Sequence, residues 1–246
     1  MKKLAAFGIA VIIALGLLIG PTLAEEMNVE AIMKAHVKAI GGTEALDKIK
    51  TVKRSATTSM DGVMGQMEGT SEEVFVVGKK SYQHTDFGVY VETSGWNGKT
   101  GWAKNSMEGL QDVTGEDLEF LESAAEVSLL ATVWRAYGNA ALKHLPDETY
   151  EGKQYQVLTI VETDIDFYLD PKTGLLAAMS MPFEDPELGE AELLIVTEDY
   201  NEYNGVMFPD STMMVIGDDL IVIESEYTET KINGPVDNAV FEKPAK

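Results

Sequence analysis

The sequence has no cysteine, three histidines and 19 basic residues against 41 acidic ones in 246 positions. Without cysteine there is no disulfide framework, thiolate metal site, cysteine nucleophile or lipidated N-terminal cysteine. The shortage of positive charge leaves a formal net charge of -22, which repels nucleic-acid phosphates and anionic lipid head groups, so no nucleic-acid partner is expected. The histidines, His36, His84 and His144, are far apart in the chain and none has a metal-binding or zinc-protease spacing. Each reads as a surface or internally hydrogen-bonded side chain.

Other signatures of chemistry are also missing. No Gly-x-Ser-x-Gly elbow or Gly-x-Gly-x-x-Gly fingerprint occurs. Gly98-Lys99-Thr100 looks like the end of a phosphate-binding loop, but Thr93 stands where the first glycine should be and the flanks read as strand, so it is a hairpin turn. Asp164, Asp166 and Asp170, the Asp199-Tyr200-Asn201 step, and the carboxylates from Glu184 to Glu192 lack the glycine and terminal carboxylate of a calcium loop, and read as solvated charge. No set of acid, base and nucleophile emerges. The expectation is a protein that is not an enzyme and carries neither cofactor nor metal.

Long apolar runs are equally scarce, with one exception. Lys2 and Lys3 precede an apolar stretch from Leu4 to Ile19, and Pro21-Thr22-Leu23-Ala24 supplies small residues for a cut before Glu25. This is the pattern of a secretory signal peptide over residues 1–24, and its removal takes away two lysines and no acid. The mature part, 25–246, is expected to be soluble, periplasmic and a single domain, since β-rich domains commonly reach about 200 to 250 residues.

What is present is mostly strand. A helix is expected from Val29 to about Ile40, capped by Asn28 and closed by Gly41-Gly42, with Ile32, Ala35, His36, Ala39 and Ile40 on one face. A short helical turn from Thr43 to Ile49 follows it. From Thr51 onward, turn chemistry at Asp61-Gly62, Gly78-Lys79-Lys80, Asn97-Gly98, Asp170 to Gly174, Asn204-Gly205 and Gly217-Asp218-Asp219 separates alternating segments. A helical insertion at about 114–137 interrupts them. The fold class is mainly β with helices (α+β), an antiparallel sheet of about eleven strands with helices free to cover one face. Leu193 to Val196 and Met213 to Ile216 are apolar on both sides, so both faces of that region need shielding. The 12 methionines suit either an adaptable surface for an apolar partner or an ordinary core.

Several segments in order resemble the LolA-like outer-membrane lipoprotein-sorting proteins. They are Ala39-Ile40-Gly41-Gly42-Thr43-Glu44-Ala45-Leu46; Asn97-Gly98-Lys99-Thr100-Gly101-Trp102; Phe167-Tyr168-Leu169-Asp170-Pro171-Lys172-Thr173-Gly174-Leu175; Asn204-Gly205-Val206-Met207-Phe208-Pro209; and Ile232-Asn233-Gly234-Pro235 with Phe241-Glu242-Lys243-Pro244. The likeness runs over nearly the whole chain after the leader. It implies a curved half-barrel with a helical lid on its hydrophobic concave face, which carries acyl chains of lipoproteins or senses other amphiphiles. One departure is plain. Where those carriers have an Arg-Pro step before an early-strand aromatic, this chain reads Lys79-Lys80-Ser81-Tyr82, so their arginine-held lid does not carry over.

On that resemblance the cavity lining would comprise Phe167, Leu169, Met179, Met181, Leu193, Ile195 and Met214, with Leu129, Leu130, Val133 and Trp134 on the lid. The partners would be lipid or lipoprotein acyl chains and a basic membrane-associated donor or acceptor drawn by the acidic surface. The alternative is an extracytoplasmic structural or sensor module with a filled core and no lipid cargo.

Overall fold

The structure, a computed structural model, describes residues 23–62, 65–185, 189–217 and 220–245. Most of the expected leader, residues 1–22, lies outside these. Helix α1 runs over Leu23–Ala39 and α2 over Gly42–Lys48. Six strands follow: β1 Thr51–Asp61, β2 Met67–Val76, β3 Lys80–Asp86, β4 Val91–Trp96, β5 Gly101–Asn105 and β6 Gly109–Val113. Helices α3 (Glu116–Ser123) and α4 (Leu129–Tyr137) make up the insertion, with a 3-10 turn at Gly138–Ala141. Seven strands complete the chain: β7 Leu142–Tyr150, β8 Lys153–Ile160, β9 Asp166–Leu169, β10 Leu176–Asp185, β11 Gly189–Tyr203, β12 Val206–Ile216 and β13 Ile221–Ile232, before a 3-10 turn at Asn238–Phe241.

All thirteen strands form one sheet in the order β6-β5-β4-β3-β2-β1-β13-β12-β11-β10-β9-β8-β7, and neighbouring strands pair antiparallel. The first and last members, β6 and β7, do not pair with each other, so the sheet is open. The count is thirteen where the sequence suggested about eleven, because short strands hide behind turns without an Asn-Gly or Asp-Gly pair. Between β5 and β6 the Asn105 Oδ1 accepts from the amides of Met107, at 2.9 Å, and Glu108, at 2.7 Å, and Gly109 takes φ 79°. An asparagine side chain makes this turn in place of a glycine pair.

Helix α1 starts earlier than its apolar periodicity suggests. Asn28 therefore lies inside it and does not cap it, and its side-chain nitrogen instead lies 2.8 Å from His144 Nδ1 on β7. The buried face comprises Val29, Ile32, Met33, His36, Val37 and Ile40, a three- and four-residue rhythm laid against the sheet.

Two turns that carry much of the resemblance seat this helix. Gly41, at φ 118°, touches the β11–β12 hairpin so closely that a Cβ there would stand 2.1 Å from the Gly205 carbonyl oxygen. Met207 N–H donates to the Ile40 carbonyl at 3.2 Å beside it. At the β9–β10 turn, Asp170 Oδ1 accepts from Lys172 N–H at 2.7 Å, and a Cβ on Gly174 would come within 3.0 Å of the Ala35 carbonyl.

Strand alternation gives the sheet two chemically distinct faces. The helix-covered face carries the main core, including Val52, Phe75, Trp96, Leu158, Phe167, Leu169, Val206 and Phe208 together with α1, Leu121, Leu130 and Ala131. A register shift between Leu176 and Ala178 in β10 lets Leu175 and Leu176 both pack into it. On the opposite face Ala178, Leu194 and Val215 form a small cluster with Tyr168, Val196, Met213 and Val222. Cross-strand neighbours bury the first three but leave Val196, Met213 and Val222 half-buried, so the expected shielding of both faces is only partial.

Candidate ligand-binding cleft

Beyond the part of the concave face filled by α1, the sheet and the insertion enclose a cleft of about 1270 Å³. Sequence neighbours β6 and β7 stand at opposite edges of the sheet, so the α3–α4 segment that joins them must cross the concave side. It is tied down along the way. Gly78 N–H donates to the Ala125 carbonyl at 2.9 Å, and the buried Ser81 hydroxyl donates to the Leu121 carbonyl. Ser128 caps α4, its Oγ accepting from Ala131 N–H at 3.2 Å, while Arg135 pairs with Asp47 of α2 at 2.8 Å.

The Lys79-Lys80 segment, at which the resemblance departs, is engaged elsewhere. Lys80 reaches Asn238 at 3.0 Å and lies 5.4 Å from the centroid of the Phe241 ring. Both belong to the C-terminal segment, and the covering helices are held by backbone and hydroxyl bonds together with the Arg135–Asp47 pair. The buried arginine on the concave face is Arg54 on β1. Its Nη2 donates to the Pro209 carbonyl, and its guanidinium carbon lies 3.2 Å from the Tyr227 ring centroid. Burial, followed by the charge of Glu73, raises the Tyr227 hydroxyl above its ordinary range, and Arg54 opposes the shift.

The cleft has unlike walls. One is apolar, built from Leu129 and Val133 of α4, Ile160 and Ile165 around β8–β9, and Met181, Leu193, Met214 and Ile216 on β10 to β12. The other is polar, with Gln83, Thr85, Glu92, Ser94, Asn105 and Gln111 on the concave-facing positions of β3 to β6. Pairing aligns Met181 with Leu193 and Leu193 with Ile216, so the apolar wall is a continuous row across adjacent strands.

The residues expected to line a cavity divide into groups. Met181, Leu193, Met214, Leu129 and Val133 border the cleft. Phe167, Leu169 and Leu130 are fully enclosed in the solid core under α1. Met179 and Trp134 pack against that core, and the Trp134 indole donates to Asn139 Oδ1 at 2.8 Å. Ile195 sits in register between Met179 and Met214 on the same face. The polar wall was absent from the sequence reading. Its signal was available in the acidic and amide residues alternating along Thr85 to Asp112, but the register that gathers them on one face was not.

None of the histidines belongs to the cleft lining. His36 is buried, with Nδ1 2.9 Å from the Gly174 carbonyl and Nε2 3.5 Å from Ser128 Oγ. Burial lowers its affinity for a proton, and the Gly174 hydrogen bond opposes the shift. His84 meets Thr93 Oγ1 at 2.8 Å, and His144 also pairs with Asp147 at 2.9 Å. Among the described residues no group of three or more His, Cys, Asp or Glu side chains could hold a metal ion. No described helix is long and apolar enough to cross a membrane.

No family model and no curated protein matches this sequence. Solved structures do match its fold. A LolA superfamily protein from Nitrosomonas europaea superimposes with a TM-score of 0.56 at 10% identity, covering 87% of this chain and 97% of its own. A DUF1329 family protein from Desulfovibrio piger gives 0.53 at 10% identity, with the same coverages of 87% and 97%. A putative outer membrane lipoprotein-sorting protein domain from Vibrio parahaemolyticus gives 0.52 at 11% identity, covering 88% and 98%. The architecture is thus LolA-like over nearly its full length.

Proposed function

We propose that this LolA-like chain is a non-enzymatic binding or carrier protein for the acyl chains of lipoproteins or other amphiphiles, working in the periplasm after its leader is removed. The cleft carries this reading: a volume of about 1270 Å³ with a continuous apolar row on one wall and helices across its mouth. Burying one methylene is worth about 0.8 kcal/mol, so a long acyl chain along that row gains enough to be held against its ordering cost. Release then requires an acceptor with equal or greater apolar contact. The net charge, -22 for the full sequence and more negative once Lys2 and Lys3 leave with the leader, would steer the protein toward a basic membrane-associated donor or acceptor, with docking that weakens as salt rises. The lipoprotein-sorting description of the Vibrio domain supports the same reading.

A second reading has its own observation. Phe167, Leu169 and Leu130 form a solid core under α1, as expected of a sensor or interaction module without cargo. One experiment separates the two. The chain is expressed with its leader in a bacterial periplasm, purified without detergent, and subjected to native mass spectrometry and solvent extraction. Near-stoichiometric acyl species support the carrier. Clean protein that also fails to take up an uncharged fluorescent alkyl probe removes the carrier reading and leaves the module.

A further inference from the structure

The charge of the cleft restricts what can occupy it. Six acidic residues border it, Glu92, Glu108, Asp112, Asp117, Glu119 and Glu162, and among the described residues no lysine, arginine or histidine does. Asp112 alternates with the concave-facing Gln111, so its carboxylate turns to the other face of the sheet, where Lys243 engages it at 2.6 Å. Glu92 accepts from the Tyr90 hydroxyl at 3.1 Å and Glu108 from the Asn105 and Gln111 amides at 3.2 and 3.3 Å, neutral donors that leave both charges in place. Five acidic residues thus remain beside a cleft whose opposite wall is apolar. Two aromatic side chains at this cleft remain exposed, Phe120 at 41% and Tyr137 at 73%.

These features act in one direction. A carboxylate or phosphate head group seated here loses hydration and meets only like charge. An ammonium group meets opposite charge and exposed aromatic faces suited to cation–π contact. The apolar wall takes the remainder of the same molecule. The cleft-side acids are dispersed over β4, the β5–β6 turn, α3 and the β8–β9 turn, and among the described residues they do not converge in a cluster that could hold a metal ion, which matches an organic cation with distributed contacts.

We infer that the cleft selects cationic amphiphiles, molecules with an apolar body of acyl-chain size bearing an amine or quaternary ammonium head. This rests on the binding function proposed above and names the ligand class for the same site.

The test uses three probes with one alkyl chain and different heads: dodecyltrimethylammonium, dodecyl maltoside and dodecanoate. Each is titrated below its micellar concentration into the delipidated protein at low salt. The ammonium probe should bind at least about tenfold more tightly than the carboxylate. Because the whole protein is acidic, two charge-matched variants locate the effect. Glu92→Gln with Glu119→Gln removes two charges at the cleft, and Glu224→Gln with Glu226→Gln removes two from exposed positions on the opposite face. The cleft pair should abolish most of the preference and the opposite-face pair should retain it. Equal loss in both variants, or a carboxylate bound as tightly as the ammonium, overturns the inference. Maltoside binding without charge preference leaves the carrier reading standing while this inference falls. No binding of any probe removes both.

Discussion

His36 Nδ1 lies 2.9 Å from the carbonyl oxygen of Gly174, joining the buried face of α1 to the β9–β10 turn. The ring is also adjacent to Ser128, the cap of α4, so one imidazole touches the core helix, a sheet turn and the start of the covering segment.

Its titration should be visible in stability. Burial favours the neutral ring in the folded state, placing the folded value below the ordinary 6.5. The contribution is therefore complete above the unfolded value and is lost as pH falls below 6.5 toward the folded one. Asparagine can retain a donor toward Gly174 but cannot titrate. The urea midpoint of the wild type should drop more than that of His36→Asn between about pH 7 and pH 5. Glu148 and Asp166, whose carboxyls are raised chiefly by burial, shift the curve in the opposite sense in both proteins, so the difference isolates His36. Parallel curves would remove it as the cause.

Arg54 should be among the most sensitive positions. Besides Pro209 and the Tyr227 ring, its Nε donates to Thr230 Oγ1 at 3.4 Å, and Nη1 lies 4.0 Å from the Glu73 carboxylate. Arg54→Ala leaves a carbonyl and a partly buried carboxylate without their cation, at a cost of about 3–5 kcal/mol in chemical denaturation. Lysine should recover only part, because a compact ammonium cannot stack and serve several acceptors together. A loss below about 1 kcal/mol for the alanine variant contradicts this account.

Two tryptophans provide a matched pair. Trp102 Nε1 donates to the Phe241 carbonyl at 3.0 Å, while the buried Trp96 Nε1 has no hydrogen-bond partner among the described residues. Replacing each by phenylalanine removes similar volume but only one satisfied bond. Trp102→Phe should therefore cost about 1–2 kcal/mol more than Trp96→Phe in thermal or urea unfolding. The reverse order would show that packing outweighs the hydrogen bond.

At the α1–α2 junction, Gly41→Ala should cost more than about 2 kcal/mol. The new Cβ meets the Gly205 backbone oxygen at 2.1 Å, where no side chain can yield, and the backbone must hold φ 118°. Gly42→Ala, with no atom of the described residues within 4 Å of the added one, carries only the strain of its φ of 79°. Equal melting temperatures for the two variants would refute the close approach.

Within the concave face, binding and stability should separate. Met181→Gln combined with Met214→Gln, both bordering the cleft, should weaken dodecyl maltoside uptake by about tenfold with little change in folding. Phe167→Ala, in the closed core at 1% exposure, should instead cost about 3–5 kcal/mol of stability.

Much of this was legible in the residues. The Asn204-Gly205 and Asp170-to-Gly174 turns, the α1 apolar rhythm and the helical interruption near 114–137 are local signals, and each produced the element it announced. The division between solid core and open cleft was not legible. Phe167 and Met181 share a face and an alternation, but α1 overlies the first and not the second, and only the long-range contacts of that helix decide which is filled. The polar wall stayed hidden for the same reason. Gln83, Ser94 and Asn105 look like ordinary exposed strand positions until β3, β4 and β5 align them opposite Met181 and Met214.

The covering helices enter from one edge strand of the sheet, β6, and return into the other, β7. They are thus a strap fastened at both ends to the object they close, unlike a flap swinging on a single hinge. It is also pinned midway, at Ala125 and Leu121 to the β2–β3 turn and β3 and at Arg135 to α2, so it is laced to the sheet like a bridge on several piers. An opening of the cleft therefore requires these ties to be broken or the sheet beneath them to move with the strap.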